Sequence, residues 1–452
     1  MKTVKSPFQF PGGVHPRYHK DLTADKPIVD LPPPATLAIS MSQHLGAPAK
    51  CLMKPGDHVV PGQLIGEKSG FISANVHSPV AGTVKAVEKR PGPTGALADA
   101  VVIETDADQP AATAMPPLDW STASREELLA RVEAAGICGM GGAGFPTSVK
   151  LNPPPDKHCE FLILNGAECE PYLSADCRMM TEHADRIRIG VEIMRRILGE
   201  PAVRIAIENN KPGAIKAIEK AFADISGDVE LVVLPTLYPQ GSEKHQIYAT
   251  VGRVVPDGAL PIAVGCVVEN VGTAAAIADA VDRGLPLTSR VTTISGDGIT
   301  EPKNVRAPVG TSYADLAAFC GGERGAVRKV ISGGPMMGFT VPNLAIATTK
   351  TTSGLLFLTD KSVFQYSSNP CIGCGRCMRA CPMGLDPSAI SCAMEAGDVA
   401  DAEARGVMNC IECGACSFGC PAYRSITHFC RRAKISIRAR IAAEKAKAAK
   451  KG

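Results

Sequence analysis

Eight cysteines near the C-terminal end are the residues best suited to carry chemistry. They form two runs of one pattern, C-x-x-C-x-x-C-x-x-x-C-P: Cys371, Cys374, Cys377 and Cys381, then Cys410, Cys413, Cys416 and Cys420. Three thiolates at this spacing surround one cubane, and in two-cluster ferredoxins the fourth cysteine ligates the other cluster. The spacing therefore predicts two [4Fe–4S] clusters and one-electron transfer, with Cys420 completing the first site and Cys381 the second.

Structural zinc and disulfides are the competing interpretations of these thiols. Zinc also takes four thiolates, but usually from two pairs separated by a spacer. Lys2 and Lys5 are followed by Pro7 and polar residues rather than by the apolar core of a signal peptide, so we expect a reducing compartment. The seven cysteines before Cys371, together with Cys392 and Cys430, lack ligand spacing and are expected to be ordinary thiols in the core.

Length and charge bound the remaining possibilities. The 452 residues suffice for roughly three domains. No apolar run reaches the roughly 18 residues of a membrane span, because Glu269 and Asn270 interrupt the longest candidate, so any membrane association is expected to be peripheral. Residues 431–452 hold nine Lys or Arg and one acid, which suits either a solvated helix or an anchor to anionic lipid. The 4% aromatic content argues against nucleic-acid binding.

The elements around the cysteines indicate a multidomain α/β protein. Short alternating runs predict an N-terminal β-domain. Ser124 and Glu127 form a capping box that opens a helix, and strands at 161–164, 203–207 and 229–234 alternate with helices at 176–198 and 212–223, which predicts a three-layer α/β domain. The inserts 387–396 and 399–406 are helical in character, so the ferredoxin is expected to be α-helical. The predicted domains are 1–118, 119–285, 286–345, 346–430 and a basic tail at 431–452.

A glycine-rich loop and three polar loops form a second candidate site. Gly139, Gly141 and Gly144 spell G-x-G-x-x-G, but this loop follows a helix, whereas a Rossmann fingerprint follows a strand. It is either a connecting loop or a place where a backbone without Cβ atoms approaches a ring or a phosphate. The segments 165–171, 238–244 and 269–273 follow predicted strands, where α/β folds bind ligands. A shared pocket is therefore expected.

These segments carry a family resemblance. Residues 139–147, 165–171, 241–243 and 270–273 are similar in order and spacing to the flavin- and NADH-binding subunit of respiratory complex I. Residues 54–66 and 77–84 resemble the half-repeats of lipoyl domains, without the carrier lysine, and the region after Leu285 resembles a soluble-ligand-binding β-grasp domain. Together with the motif at 10–16 and the cysteine runs, nearly the whole chain resembles the RnfC family of Rnf electron-transport complexes.

The resemblance implies a barrel-sandwich, an FMN/NADH domain, a β-grasp domain and a two-cluster ferredoxin. It also implies roles for single residues. Gly139, Gly141 and Gly142 would cradle FMN, with Lys150 and Asn165 at its polar edge. Glu168, Glu170 and Glu243 would be the catalytic carboxylates that order the nicotinamide ribose and flank the flavin. Asn270 and Thr273 would hold the phosphate, and Phe145 would stack on the adenine.

The function implied is NADH oxidation within an ion-translocating membrane complex. Hydride would pass from NADH to FMN, and single electrons would then pass through two [4Fe–4S] clusters to a membrane partner. Expected partners are the other subunits, NAD(H), and ferredoxin or flavodoxin reached through the complex, at the cytoplasmic face of the inner membrane. The alternatives are a soluble reductase like cobalamin reductase and a non-enzymatic electron-wiring protein. Met140, Ser242 and Lys244 depart from the complex I pattern.

Overall fold

A small barrel of short antiparallel strands follows an N-terminal segment. The computed structural model describes residues 1–113 and 115–449. Two sheets, ordered β3-β9-β8-β5 and β4-β6-β7, share one core in which Leu37, Ile65 and Val101 are fully buried. The predicted β-domain is therefore present, and residues 70–75 connect β6 to β7. The strands are β1 Lys2–Lys5, β2 Ile28–Asp30, β3 Thr36–Ser40, β4 Lys50–Cys51, β5 His58–Val59, β6 Leu64–Glu67, β7 Val76–His77, β8 Gly82–Pro91 and β9 Leu97–Thr105.

A parallel sheet covered by helices forms the second domain. Its strand order is β1-β12-β11-β10-β13, so β1 of the N-terminal segment completes one edge. The carboxyl ends of parallel strands share one edge of the sheet, and this alignment brings the loops after β10 and β13 together. The strands are β10 Phe161–Gly166, β11 Ala202–Glu208, β12 Val229–Leu234 and β13 Cys266–Asn270. The helices are α1 Arg125–Ala134, α2 Thr147–Lys150, α3 Ala175–Glu182, α4 Ala184–Leu198, α5 Pro212–Ala221, α6 Glu243–Val251 and α7 Val271–Asp282, with a 3-10 turn at Pro261–Val264.

Two predicted helix features have different outcomes. The capping box is confirmed, because Ser124 and Glu127 each bind the backbone N–H of the other. The single helix predicted at 176–198 is wrong: it is interrupted at His183, whose φ of −129° is not helical. The two halves pack against different partners, α3 against α5 and α4 against α7. Gly190 allows the second contact, because a Cβ there would lie 1.9 Å from the Ala274 carbonyl oxygen.

The β-grasp unit has one helix on a mixed sheet. Its strand order is β17-β16-β18-β14-β15-β2, and Tyr313 and Phe357 fill the core beneath the helix. The central strand β18 lies beyond residue 345, so the sheet extends past the domain limit predicted from sequence. The elements are β14 Ser289–Ser295, β15 Lys303–Pro308, α8 Tyr313–Phe319, β16 Val327–Ser332, β17 Phe339–Thr340 and β18 Gly354–Thr359.

Short helices around a small core form the cysteine-rich region. Its last helix begins at Ile426 and continues through most of the predicted basic tail, with Ile437 fully buried in the core. Residues 450–452 of that tail lie outside the described part of the chain. No described helix has both the length and the apolarity needed to cross a bilayer. The elements are α9 Arg376–Ala380, α10 Pro387–Glu395, α11 Val399–Ala404, α12 Ala415–Phe418 and α13 Ile426–Ala449, with a 3-10 turn at Val407–Asn409.

The first thirty residues cross three domains, and we call residues 2–30 the strap. Strand β1 pairs in parallel with β12, and β2 pairs in parallel with β15 of the β-grasp sheet. Between them the Gly13 N–H donates to the Ala380 carbonyl, at 3.1 Å. Gly12 has a φ of +79°, and a Cβ there would lie 2.8 Å from the Cys381 carbonyl oxygen. The strap also contains the 3-10 turn Lys20–Leu22.

Candidate flavin and iron–sulfur sites

The glycine-rich loop is fastened to the end of the parallel sheet. The Met140 N–H donates to Thr273 Oγ1 at 3.0 Å, and Arg290 donates to the Met140 carbonyl at 2.9 Å. The Gly139 N–H donates to the Phe145 carbonyl at 2.9 Å, which closes the loop on itself. Gly142 lies at the exposed tip with a φ of +155°, and a Cβ there would meet no atom within 4 Å. The loop is thus rigid at its base and open to a ligand at its tip.

Asn165 and Asn270 lie opposite each other in the register of β10 and β13. The Asn165 side chain donates to the Gly241 carbonyl and accepts from Gln246 and the Ala167 N–H. Asn270 caps α7 by accepting from the Gly272 N–H at 2.8 Å. Both amides are therefore held in place by the protein. The N–H groups at the start of α7, beside the glycine loop, suit a phosphate.

Three charged side chains meet beneath this loop. Lys150 Nζ donates to Glu243 Oε1 at 2.8 Å, and the two side chains are 25% and 40% exposed. Glu269 is 2% exposed, and its Oε1 has no hydrogen-bond partner among the described residues. Burial raises the pKa of Glu269 to about 7, against the attraction of Lys150. Burial alone would lower the pKa of Lys150, but Glu269 and Glu243 raise it above its ordinary value.

Glu269 is the site residue that sequence reasoning missed. It was noted only as part of the loop after the fourth strand, and the role there went to Asn270. Because the side chains of a strand alternate between faces, an acidic residue directly before Asn270 in an apolar strand was a usable signal. A carboxylate in such a strand must be buried or face a ligand.

Two predicted catalytic carboxylates lie elsewhere. Glu168 accepts from the N–H groups of Asp176 and Cys177 at 2.7 and 3.2 Å, where α3 begins. Glu170 accepts from the N–H groups of Met336 and Met337 at 3.1 and 2.9 Å. Among the described residues neither carboxylate is hydrogen-bonded to Lys150 or Glu243. Buried N–H groups need acceptors, so these two glutamates hold backbone instead. A direct contact with nucleotide stays a prediction and would require these bonds to break.

The other predicted flavin-site residues lie together. Gly139, Gly141, Gly142 and Phe145 form the loop, while Lys150 and Asn165 face its underside from α2 and β10. A Cβ at Gly141 would lie 3.1 Å from the Asn270 Cβ, so this position excludes larger side chains. The Phe145 side chain is half-buried, and its stacking on adenine stays a prediction. The open tip, the ammonium of Lys150 and the unpartnered oxygen of Glu269 fit a flavin, which has both donors and acceptors along its ring edge.

The eight cysteines line two clefts of about 350 and 380 Å³. All seventeen cysteines lie in the described part of the chain, and none forms a disulfide. We call the first cleft outer and the second inner. The outer cleft is lined by Cys371, Cys374, Cys377 and Cys420, and the inner cleft by Cys381, Cys410, Cys413 and Cys416.

This distribution matches the crossed assignment expected from the spacing. Within residues 1–113 and 115–449 no three His, Cys, Asp or Glu side chains converge as they would on a single metal ion. The cysteines instead occupy the walls of each cleft, as thiolates do around a cubane. The fully buried Cys430 also lines the inner cleft, which the sequence did not indicate.

The inner cleft adjoins the flavin region, and the outer cleft faces solvent. Tyr238, in the loop after β12, donates to the Cys413 carbonyl at 2.7 Å and lies 3.4 Å from Glu170. His245 Nε2 lies 3.2 Å from the carbonyl oxygen of Pro382, next to Cys381. In the outer cleft, Cys371 and Cys374 are exposed. The two clefts therefore differ in which part of the molecule they face.

Four family models match the chain in the order of its domains. They are an RnfC barrel-sandwich hybrid domain at residues 8–108, a Nuo51 FMN-binding domain at 132–279, an SLBB domain at 291–340 and a 4Fe-4S dicluster domain at 364–421. The predicted fold class is confirmed, and so are its FMN and [4Fe–4S] cofactors. The matched domains and the two sites define a flavin- and iron–sulfur-containing electron-transfer protein.

Curated relatives define the family. The RnfC-type component of the proton-translocating ferredoxin:NAD(+) oxidoreductase complex of Clostridium ljungdahlii is 48% identical over 84% of this chain and 83% of its own length. Its counterpart in the Na(+)-translocating ferredoxin:NAD(+) oxidoreductase complex of Acetobacterium woodii is 43% identical over 84% and 85%. The counterpart in the ion-translocating oxidoreductase complex of Rhodobacter capsulatus is 41% identical over 89% and 78%. The chain therefore belongs to the RnfC family of ion-translocating oxidoreductase complexes.

Proposed function

We propose that this chain oxidises NADH at the flavin region and delivers single electrons through its cysteine-rich region to a membrane-embedded partner. It would act at the cytoplasmic face of the inner membrane, in a complex that couples NAD(H) to ferredoxin or flavodoxin and moves an ion. The relatives are named as components of ferredoxin:NAD(+) oxidoreductase complexes, which supports this assignment. The RnfC-type barrel-sandwich favours it over a soluble reductase.

The flavin region supplies what such a reaction needs. Bound FMN would supply the exchange between hydride and single-electron chemistry. Lys150 places a positive charge, fixed by Glu243 at 2.8 Å, beneath the open loop tip. A fixed cation there stabilises negative charge that develops on a bound ring, without reorganisation during the reaction. The N–H groups at the start of α7 would hold the phosphate.

The contact between Tyr238 and Cys413 carries this proposal. It joins a loop of the flavin domain to a residue of the inner cleft through one hydrogen bond of 2.7 Å. Electrons would therefore enter the cysteine-rich region at the inner cleft and leave at the outer cleft. Around the outer cleft Tyr366, Ile372 and Tyr423 are 54%, 65% and 51% exposed. An exposed apolar patch of this kind is typical of a docking surface and suits the membrane partner.

The test is NADH oxidation by the full chain carrying FMN and both clusters, with an artificial one-electron acceptor. We expect activity in the wild type and at least a tenfold loss in Lys150→Met, because that change removes the fixed cation and leaves Glu269 and Glu243 without compensation. Lys157→Met is the matched control, since Lys157 is 47% exposed and paired only with its neighbour Asp156 among the described residues.

Absence of NADH oxidation in a protein that holds FMN and both clusters would exclude the enzyme and leave the electron-wiring role. Equal activity of Lys150→Met and Lys157→Met would show that Lys150 does not serve the flavin region. Flavin, iron and sulfide are measured in each sample, so that loss of a cofactor is not mistaken for loss of activity.

A further inference from the structure

Glu269 is a buried carboxylate at the centre of the flavin region. It lies near the carboxyl end of β13, in register with Leu164 and one residue before Asn270. Its side chain is shielded from water at 2% residue exposure, and Oε1 has no partner within the described ranges. An unpartnered carboxylate oxygen in such a place is costly unless it takes a proton or meets a donor.

Three groups face this carboxylate. Lys150 reaches it from α2, Glu243 from α6, and Cys138 from the glycine-rich loop. Lys150 is already bound to Glu243 at 2.8 Å, so one ammonium serves two carboxylates. With both glutamates ionised the set carries one excess negative charge, and with Glu269 protonated it is neutral. Any further negative charge placed beside Lys150 therefore favours protonation of Glu269.

We propose that Glu269 takes up one proton from solvent when the adjacent flavin accepts a hydride. The inference rests on the proposed NADH oxidation. NADH loses a hydride and becomes NAD+, the flavin ring gains the hydride and one negative charge, and the Glu269 carboxylate becomes a carboxylic acid. The charge of the buried region is thus unchanged by reduction. Release of electrons to the inner cleft would return the proton.

The pH range follows from the environment of the carboxylate. Burial holds the pKa of Glu269 near 7 before reduction, and a negative ring raises it further. Below pH 6 Glu269 is protonated in both states and takes up nothing. Above pH 7 it is mostly ionised before reduction and protonated after it. The extra proton is therefore taken up just above neutral pH, and not in acid.

The test is the midpoint potential of the bound flavin measured between pH 5.5 and 8.5. One proton per two electrons changes the equilibrium tenfold per pH unit, which is about 30 mV per pH unit. We expect the wild type to show this additional slope above pH 7 relative to Glu269→Gln, which keeps a similar shape and cannot ionise. The two potentials should converge in acid and separate as the pH rises.

Glu243→Gln is the matched control, because it also removes a negative charge beside Lys150 but at a 40% exposed side chain. It should raise the potential at every pH and keep the wild-type slope. Equal slopes in wild type and Glu269→Gln, or a slope lost in Glu243→Gln instead, would overturn the proposal. A protein that binds FMN and shows no NADH oxidation would contradict the proposed function, whereas the flavin potential would still report on Glu269.

Discussion

The flavin region and the cysteine-rich region are held in place by different means. In the flavin region Asn165, Asn270 and Lys150 are each fixed by hydrogen bonds to other protein groups. In the cysteine-rich region the eight ligand cysteines line two clefts, within a core of few buried side chains. The first site is built by the fold, whereas metal-binding free energy contributes directly to the stability of the second. The two regions should therefore fail independently.

The largest expected effect comes from Cys413→Ser compared with Cys371→Ser. Cys413 lines the inner cleft and contacts Tyr238, while Cys371 is exposed in the outer cleft. Each change should leave about four irons per chain. Only Cys413→Ser should abolish rapid reduction of the remaining cluster by NADH, as followed by stopped-flow spectroscopy. Wild-type rates in Cys413→Ser would mean that electrons do not enter through the inner cleft.

Gly190→Ala should damage the flavin domain and spare the clusters. The added Cβ would lie 1.9 Å from the Ala274 carbonyl oxygen, so α4 and α7 must separate, at a cost of about 3 kcal/mol in unfolding free energy. Gly213→Ala is the control, because no described atom lies within 4 Å of its added Cβ. Thermal unfolding of the flavin domain and iron content are measured together. Loss of iron in Gly190→Ala would show that the two regions are not independent.

Glu170 links the flavin domain to the β-grasp unit, and its contribution should depend on pH. Burial raises its pKa to about 7, above the value of an unfolded glutamate. Stability from this group is present below about pH 4.5 and lost as the pH rises to 7, by up to about 3 kcal/mol. Glu170→Gln cannot ionise, so it should lose less stability between pH 5 and 7.5 than the wild type.

Denaturant unfolding at pH 5 and pH 7.5 measures this difference. Glu126→Gln, at a 78% exposed side chain, should behave as the wild type at both values. Parallel behaviour of Glu170→Gln and wild type would show that Glu170 stays ionised in the folded protein.

The smallest expected effect is that of Tyr238→Phe. The change removes one hydrogen bond to the Cys413 carbonyl and leaves this acceptor unpaired, which should cost about 1 kcal/mol. Tyr248→Phe is the control, since Tyr248 contacts the Phe8 ring through its own ring. Equilibrium unfolding measures the cost, and no change in Tyr238→Phe would mean that the two regions are joined by other contacts.

Sequence reasoning reached some parts of this molecule because the signal was local. Each cysteine run is short enough to fix the ligand spacing by itself, and the capping box at Ser124 lies within a single helical turn. The directions of Glu168 and Glu170 could not be predicted in this way. Glu170 binds Met336, which is 166 positions further along the chain. The break at His183 likewise depends on which helices pack against α3 and α4.

The strap has a consequence for the order in which the chain folds during synthesis. Its first strand leaves the ribosome well before its partner at 229–234, and Ile28–Asp30 precedes its partner at 303–308 by an even longer stretch of chain. Contacts so distant in sequence close late. The nascent barrel-sandwich can therefore form while residues 2–30 are still unpaired. Final attachment of this segment would report that every downstream domain it touches has been completed.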